Sequence, residues 1–325
     1  MLEGLLWVTG YRPYRYQQFS IESSPHQNIV ADTEYGLALN PGAYTITINE
    51  GLTYHTTHIN RFSRVIATPP TEEPQAVLAV FGCSYTYGMG LDDADAFPSH
   101  LANRLSDYEV RSYAVPGYGT VQGFMQLHQL VEQGEKPQVA LFNFADFHLD
   151  RNSMTPDYRL HLNVGYQMAI GNDRVDMAES AFPYVREQDG TLVFHKAPWS
   201  QLYQHWSGRE TFALVNLLQT ITDRYETASI DAVKNTVLLM EQIQSYCTAH
   251  DIRLVVAGIT ESQATAAVLE AVSNKGIETV DAGLPLESAT YNNLPYDTHP
   301  NERAHRLMAE KMGLYLTKPQ HTATR

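Results

Sequence analysis

Two short stretches of this chain carry side chains whose types and spacing could do chemistry together. The first is Gly82-Cys83-Ser84-Tyr85-Thr86-Tyr87-Gly88, directly after the apolar run Ala76-Val77-Leu78-Ala79-Val80-Phe81. A serine there stands where a buried strand turns into a helix. Its hydroxyl is presented at the sheet edge, and its own N–H can help bind an oxyanion. Gly-x-Ser alone is a common triplet that equally suits a small residue in a turn. Thr86 also occupies the place where a Gly-x-Ser-x-Gly elbow has its last glycine. The second stretch is Tyr296-Asp297-Thr298-His299-Pro300-Asn301. A serine hydroxyl is a weak nucleophile until a base removes its proton and a carboxylate orients that base. Asp297 and His299 supply both from one loop, and Pro300 holds His299 in an extended backbone ahead of the final helix. Alone, the segment reads equally as a polar loop before a helix start.

These residues need a scaffold that brings residues 84 and 299 to one edge. From Gln75 the pattern alternates strand and helix: strands at 76–81, 108–115, 139–142, 254–257 and 278–280, helices at 95–106, 120–133, 231–250, 261–273 and 300–316. The continuous apolar run at 76–81 is that of a parallel strand buried on both faces. The expected fold is a flavodoxin-like three-layer α/β/α sandwich of about five parallel strands, with ligands bound at the carboxyl ends of the strands. Residues 1–74 read as an N-terminal β-rich accessory segment, with a hairpin of 44–48 and 52–57 around Asn49-Glu50-Gly51. Pro69 to Pro74 reads as a linker. The main domain then spans 75–325, interrupted at 151–230 by an insertion with hairpin signals at Val164–Ile170, Arg174–Met177 and Leu192–His195.

Taken together, the two stretches make the sequence resemble the SGNH/GDSL hydrolase superfamily over residues 76–316. Gly82-Cys83-Ser84-Tyr85-Thr86-Tyr87-Gly88 is similar to its first block, with Cys in place of the usual Asp. Val115-Pro116-Gly117-Tyr118-Gly119-Thr120-Val121-Gln122 resembles the second, and the resemblance implies an oxyanion role for Gly117. Asp297-Thr298-His299-Pro300-Asn301 resembles the last. The chain up to Gln75 lies outside the shared domain, although Asp32-Thr33-Glu34-Tyr35-Gly36 resembles the leaders of some bacterial members. Two positions depart from the pattern. The third block, Gly-x-Asn-Asp, is here Asn143-Phe144-Ala145-Asp146, so Ala145 replaces the oxyanion-binding asparagine. Asn143, two residues earlier on the same strand face, is the substitute donor to expect. The family's Asp stands three residues before its His, whereas Asp297 stands two before His299.

The resemblance implies a serine esterase with a Ser84-His299-Asp297 triad and an acyl-enzyme. Gly117 and Asn143 would serve the oxyanion, and no cofactor or metal is needed. The substrate class would be a small-molecule or carbohydrate O-acyl ester, or a lipid-like one. Two alternatives share the fold: an O-acyltransferase using the same triad, and a non-catalytic ligand-binding domain.

Composition narrows the rest. The 325 residues carry 22 Lys+Arg against 36 Asp+Glu, a formal charge of −14. Such a surface repels nucleic-acid backbones and anionic membranes. No apolar run is long enough to span a bilayer, so no stable membrane insertion is expected in the chain as given. Met1 to Gly10 is apolar and lacks a basic start, and could be the end of a longer hydrophobic segment, with an extracytoplasmic location in that case. Cys83 and Cys247 cannot build a disulfide framework, and Cys83 reads as a small buried residue at a strand end. Asp146, His148 and Asp150 alternate and could offer metal ligands, but read better as a loop rim. His55 and His58 fall on opposite strand faces. Tyr11, Tyr14 and Tyr16 read as packing against the main domain, and Asp92-Asp93-Ala94-Asp95 as a helix N-terminus.

Overall fold

The computed structural model describes residues 2–16, 19–67, 76–163 and 175–317. Helix α1 (Leu2–Val8) precedes strands β1 (Ile21–Ser24), β2 (Ile29–Asp32), β3 (Gly36–Leu39), β4 (Gly42–Ile48) and β5 (Leu52–His58). The chain continues through β6 (Ala76–Gly82), α2 (Ser84–Tyr87), α3 (Phe97–Ala102), β7 (Tyr108–Ala114), α4 (Thr120–Glu132) and β8 (Val139–Phe144). Next come α5 (His148–Ser153), α6 (Pro156–Leu162), β9 (Ala181–Gln188), β10 (Thr191–Pro198), α7 (Trp199–Leu202) and α8 (Ala213–Ala228). The chain closes with α9 (Ala232–Ala249), β11 (Arg253–Thr260), α10 (Gln263–Ser273), β12 (Glu278–Leu284) and α11 (Glu302–Leu316).

The central sheet is five-stranded and parallel, in the order β7-β6-β8-β11-β12. Counting only these strands along the chain, that is 2-1-3-4-5, the flavodoxin-like order. Both faces are covered. Phe81, Phe142 and Val256 pack in one core with Val121 and Leu127 of α4 and Leu239 and Ile243 of α9. Leu78, Val80, Leu141 and Val255 pack in the other with Leu101 of α3 and Met308 and Met312 of α11. Burial on both sides is why the inner strands β6, β8 and β11 carry apolar runs, while the edge strands β7 and β12 mix in charged residues. The order reverses between β6 and β8, and the crevice outside the carboxyl ends there is where such sheets bind ligands.

Ahead of this sheet, β4 and β5 form the expected hairpin, with β1 added beside β4. The 69–74 linker and the Val164–Ile170 hairpin lie outside the described residues, as does Arg174, while residues 175–177 carry no strand. Leu192–His195 falls in β10, paired antiparallel with β9.

The structure corrects several boundaries. The helix expected at 95–106 shrinks to α3. Asp93 and Asp95 stand instead in a 3-10 turn, whose geometry is set by bonds from Thr57 N and Arg64 Nε to the Asp93 carboxylate at 3.0 and 2.6 Å. The last helix starts at Glu302, because Asn301 is its N-cap and accepts from Ala304 N at 3.2 Å. Pro300 sits in a bridge with Asn292. The region 151–230 holds the 16-residue helix α8, which reads poorly from sequence because only Ala213 and Gln219 of it are buried. Leu218, Ile221 and Tyr225 stay exposed and blur the periodic stripe.

Candidate active site

Ser84 opens α2 immediately beyond β6, at the reversal point of the sheet. It is nearly buried, with Cys83 as an extended N-cap residue behind it. As the first N–H of a helix, its amide has no intrahelical acceptor. Gly117 follows the neighbouring strand β7, and its φ of +86° is a left-handed conformation that glycine adopts without strain. Among the described residues neither the Ser84 nor the Gly117 N–H donates to another protein group. Two free amides thus leave adjacent strands β6 and β7 at one level, where Gly82 pairs with Ala114.

Asp297 and His299 form a closed pair. His299 Nδ1 lies 2.9 and 2.8 Å from the two Asp297 carboxylate oxygens. Burial pushes the Asp297 carboxyl up, but the His299 charge and hydrogen bonds from the His299 ring and the Thr298 and His299 backbone outweigh it. The net result lies below the ordinary value of 3.8. The imidazole packs edge-on against Tyr85, with ring centroids 5.4 Å apart, and Tyr85 packs in turn on Phe147 at 4.9 Å. Tyr85 adjoins Ser84, so the imidazole stands beside the helix that Ser84 opens. Ser84 Oγ and His299 are not joined by a hydrogen bond in this structure.

Asn143 lies on the same strand face as Ala145, as the alternation requires. Its Nδ2 donates to Thr86 Oγ1 at 3.1 Å, and its Oδ1 is buried without a partner. The amide observed there holds α2 from below. Ala145 is fully buried and offers no side-chain donor.

Sequence reasoning missed a set of side chains that hold the loop after β7. Tyr158 Oη donates to Gly117 O at 2.7 Å, and an Arg151 guanidinium N–H donates to Tyr118 O at 2.7 Å. Asn152 Oδ1 accepts from Thr120 N at 2.8 Å and Val121 N at 3.3 Å, capping α4 from another helix. Gly119, the N-cap position of α4, has no side chain to do this. All three come from the start of the 151–230 region. Nothing in the local pattern marks them, since their partners lie far off in the chain, on the other side of β8.

The other sequence candidates fall elsewhere. Cys83 is a free, fully buried thiol. Asp146, His148 and Asp150 do not share a face, because residues 148–153 are helical. His148 is buried against Phe144 and Phe147, while Asp146 accepts from Phe147 N and Asp150 from Thr155 Oγ1. His55 is exposed and His58 buried. Tyr14 and Tyr16 pack around His205, with Tyr14 under Arg209. One set among the described residues, Asp95, His100 and Glu302, brings three possible metal-ligand atoms within 4.8 Å of one another. Glu302 is exposed in the first turn of α11, where a carboxylate favours the helix end without any ion. A groove of about 750 Å³ lined by Tyr35, Phe124, His128, Phe194 and Tyr246 contains none of the site residues.

No family model and no curated protein matches this chain. Solved structures do. Many of them are lipolytic proteins of the G-D-S-L family or acylhydrolases. A putative lipolytic protein of that family from Desulfitobacterium hafniense is 11% identical, covering 74% of this chain and 98% of its own, with a TM-score of 0.39. TesA is 14% identical over 74% of this chain and 98% of its own, with a TM-score of 0.41. The psychrotrophic esterase EstA from a Pseudoalteromonas species, in a structure inhibited by monoethylphosphonate, is 11% identical, covering 75% and 100%, with a TM-score of 0.39. No helix among the described residues is long and apolar enough to cross a membrane.

Proposed function

We propose that this protein is a serine hydrolase of the SGNH/GDSL type that cleaves O-acyl esters, the alcohol being a carbohydrate or a lipid-like group. The observation that carries this reading is the closed Asp297–His299 pair resting on Tyr85, next to Ser84. His299 takes the Ser84 proton as Ser84 Oγ attacks the ester carbonyl. Asp297 holds the ring and stabilises the imidazolium. The Ser84–His299 bond closes in the substrate complex, as such bonds commonly tighten only once substrate is bound. The tetrahedral oxyanion is received by the free N–H groups of Ser84 and Gly117. Asn143 serves that hole by steadying Thr86 and with it the helix of the nucleophile. The alcohol leaves with the proton from His299, and water then attacks the acyl-enzyme with His299 as base again. With Ala145 in place of the third donor, turnover is expected to be slower by about 10²–10³ than with a full hole.

The test is a fluorophosphonate probe together with nitrophenyl esters of increasing acyl length, on wild type and Ser84→Ala. Wild type should label once and release free acid, and Ser84→Ala should do neither. Folded wild type that takes no label and cleaves no ester would leave a binding domain. Acyl release that waits for a sugar acceptor would make it an acyltransferase.

A further inference from the structure

The N-terminal β segment lies outside the domain that carries the triad, yet its hairpin tip touches the loop that bears Asp297 and His299. We propose that this tip, Asn49 to Gly51, is a positioning element for the acid–base pair; the proposal rests on the catalytic reading above. Asn49 and Glu50 take left-handed backbone conformations, with φ of +47° and +56°, so the chain turns sharply there. The Asn49 side chain bridges two segments. Its Oδ1 accepts from Ser20 N at 2.9 Å, and its Nδ2 donates to Tyr296 O at 2.8 Å. Tyr296 O belongs to the peptide unit whose N–H is that of Asp297. That N–H donates to Asn293 O at 3.2 Å. The peptide immediately before Asp297 is therefore held at both edges, from the hairpin on one side and from its own loop on the other. The orientation of that plane sets where the Asp297 carboxylate, and through it the His299 ring, can point.

Two close approaches reinforce the contact. The Tyr296 ring lies flush on Gly51, where an added Cβ would stand 1.9 Å from Tyr296 Cε1. A side chain at residue 51 would push that ring from its place. A Cβ at Gly90, in the loop after α2, would stand 2.9 Å from both Asn293 Nδ2 and Leu52 Cδ2. The hairpin, the loop after the nucleophile helix and the loop of the base thus meet at one point. The same segment also grips α2 from behind: Arg64 donates to Tyr87 O and Gly88 O at 2.7 and 2.9 Å, and His58 Nε2 meets Tyr87 Oη at 2.7 Å. Ser84 and His299 come from opposite ends of the main domain's sequence, and the N-terminal segment touches both carriers.

The experiment compares Asn49→Ala and Gly51→Ala with wild type and with Thr47→Ala, a half-buried position of the same hairpin whose side chain bonds to Thr53. The first two variants should lower kcat on a nitrophenyl ester, and the rate of fluorophosphonate labelling, by about tenfold or more, since small misplacements of catalytic groups are costly. KM should stay within about twofold, and Thr47→Ala should match wild type. Placed on Asp297→Asn, neither variant should lower the rate further, because the tip acts through Asp297. Independently of activity, the downfield Nδ1–H proton signal of His299 should move or broaden in Asn49→Ala and Gly51→Ala, and not in Thr47→Ala. An unmoved signal, or a rate loss fully retained on Asp297→Asn, overturns the proposal. Wild type that neither labels nor hydrolyses overturns the esterase reading, and the proton signal then decides the positioning claim alone.

Discussion

In the proposed mechanism the base depends on Asp297. Its carboxylate is buried and both its oxygens face the His299 Nδ1. Asp297→Asn keeps the shape but presents an amide that cannot stabilise an imidazolium. A loss in kcat of about 10²–10⁴ on nitrophenyl esters is expected, with the fold retained by circular dichroism. Tyr158 is the sharper test of the oxyanion role proposed for Gly117. Tyr158→Phe removes one hydroxyl, the donor to Gly117 O, and no other part of the ring. Freed from that anchor, the Gly117 peptide can tilt its N–H away from the oxyanion. The variant should lose several-fold in kcat with little change in KM, and about 1 kcal/mol or less in stability by urea titration.

Between elements, helices are held by side chains from other helices. The N-terminus of α4 follows the loop that bears Gly117, and its first amides are satisfied by Asn152 of α5. Asn152 is fully buried and also donates to Thr236 of α9 at 3.1 Å. Asn152→Ala would orphan two amide donors and a hydroxyl, so a loss of about 1–3 kcal/mol is expected in chemical unfolding. Arg64 plays the same part between the N-terminal segment and the turn after α2. It is buried, paired with Asp93, and bonded to the carbonyls of Tyr87, Gly88 and Leu91. Arg64→Met should cost about 3–5 kcal/mol, because Asp93 loses its charge partner and three carbonyls lose their donor.

The protein as a whole should be sensitive to mild acid. Burial, followed by the charges of Arg64, His100 and His299, holds His305 down to about 3. Burial likewise holds His58 down to about 4. His305 Nδ1 accepts from Phe97 N at 2.8 Å, a bond that only the neutral ring can make. In the unfolded chain both rings titrate at their ordinary value of 6.5. Below that pH the unfolded state binds protons that the folded state refuses, so stability falls as pH drops from 6.5 toward 4. Each ring contributes a slope of up to about 1.4 kcal/mol per pH unit. Urea midpoints measured from about pH 7 to about pH 4.5 should fall steadily, and His305→Gln should flatten the decline.

Features whose physics is local read directly from the chain. The apolar runs of β6, β8 and β11, the serine where the first of them ends, and the aspartate and histidine two positions apart are all of this kind, since strand burial and loop spacing are encoded between near neighbours. Which distant polar groups meet is fixed only by packing in three dimensions. Asn143 looks like a spare oxyanion donor from its strand parity, and packing brings Thr86 to one of its amide hydrogens. Asp92 to Asp95 look like a helix start, yet Asp93 answers a buried arginine 29 positions away. Asn49 reads as a turn residue, and its reach to Tyr296 spans 247 positions. A buried polar side chain takes the partner that the packed chain brings to it, and no periodicity carries that information.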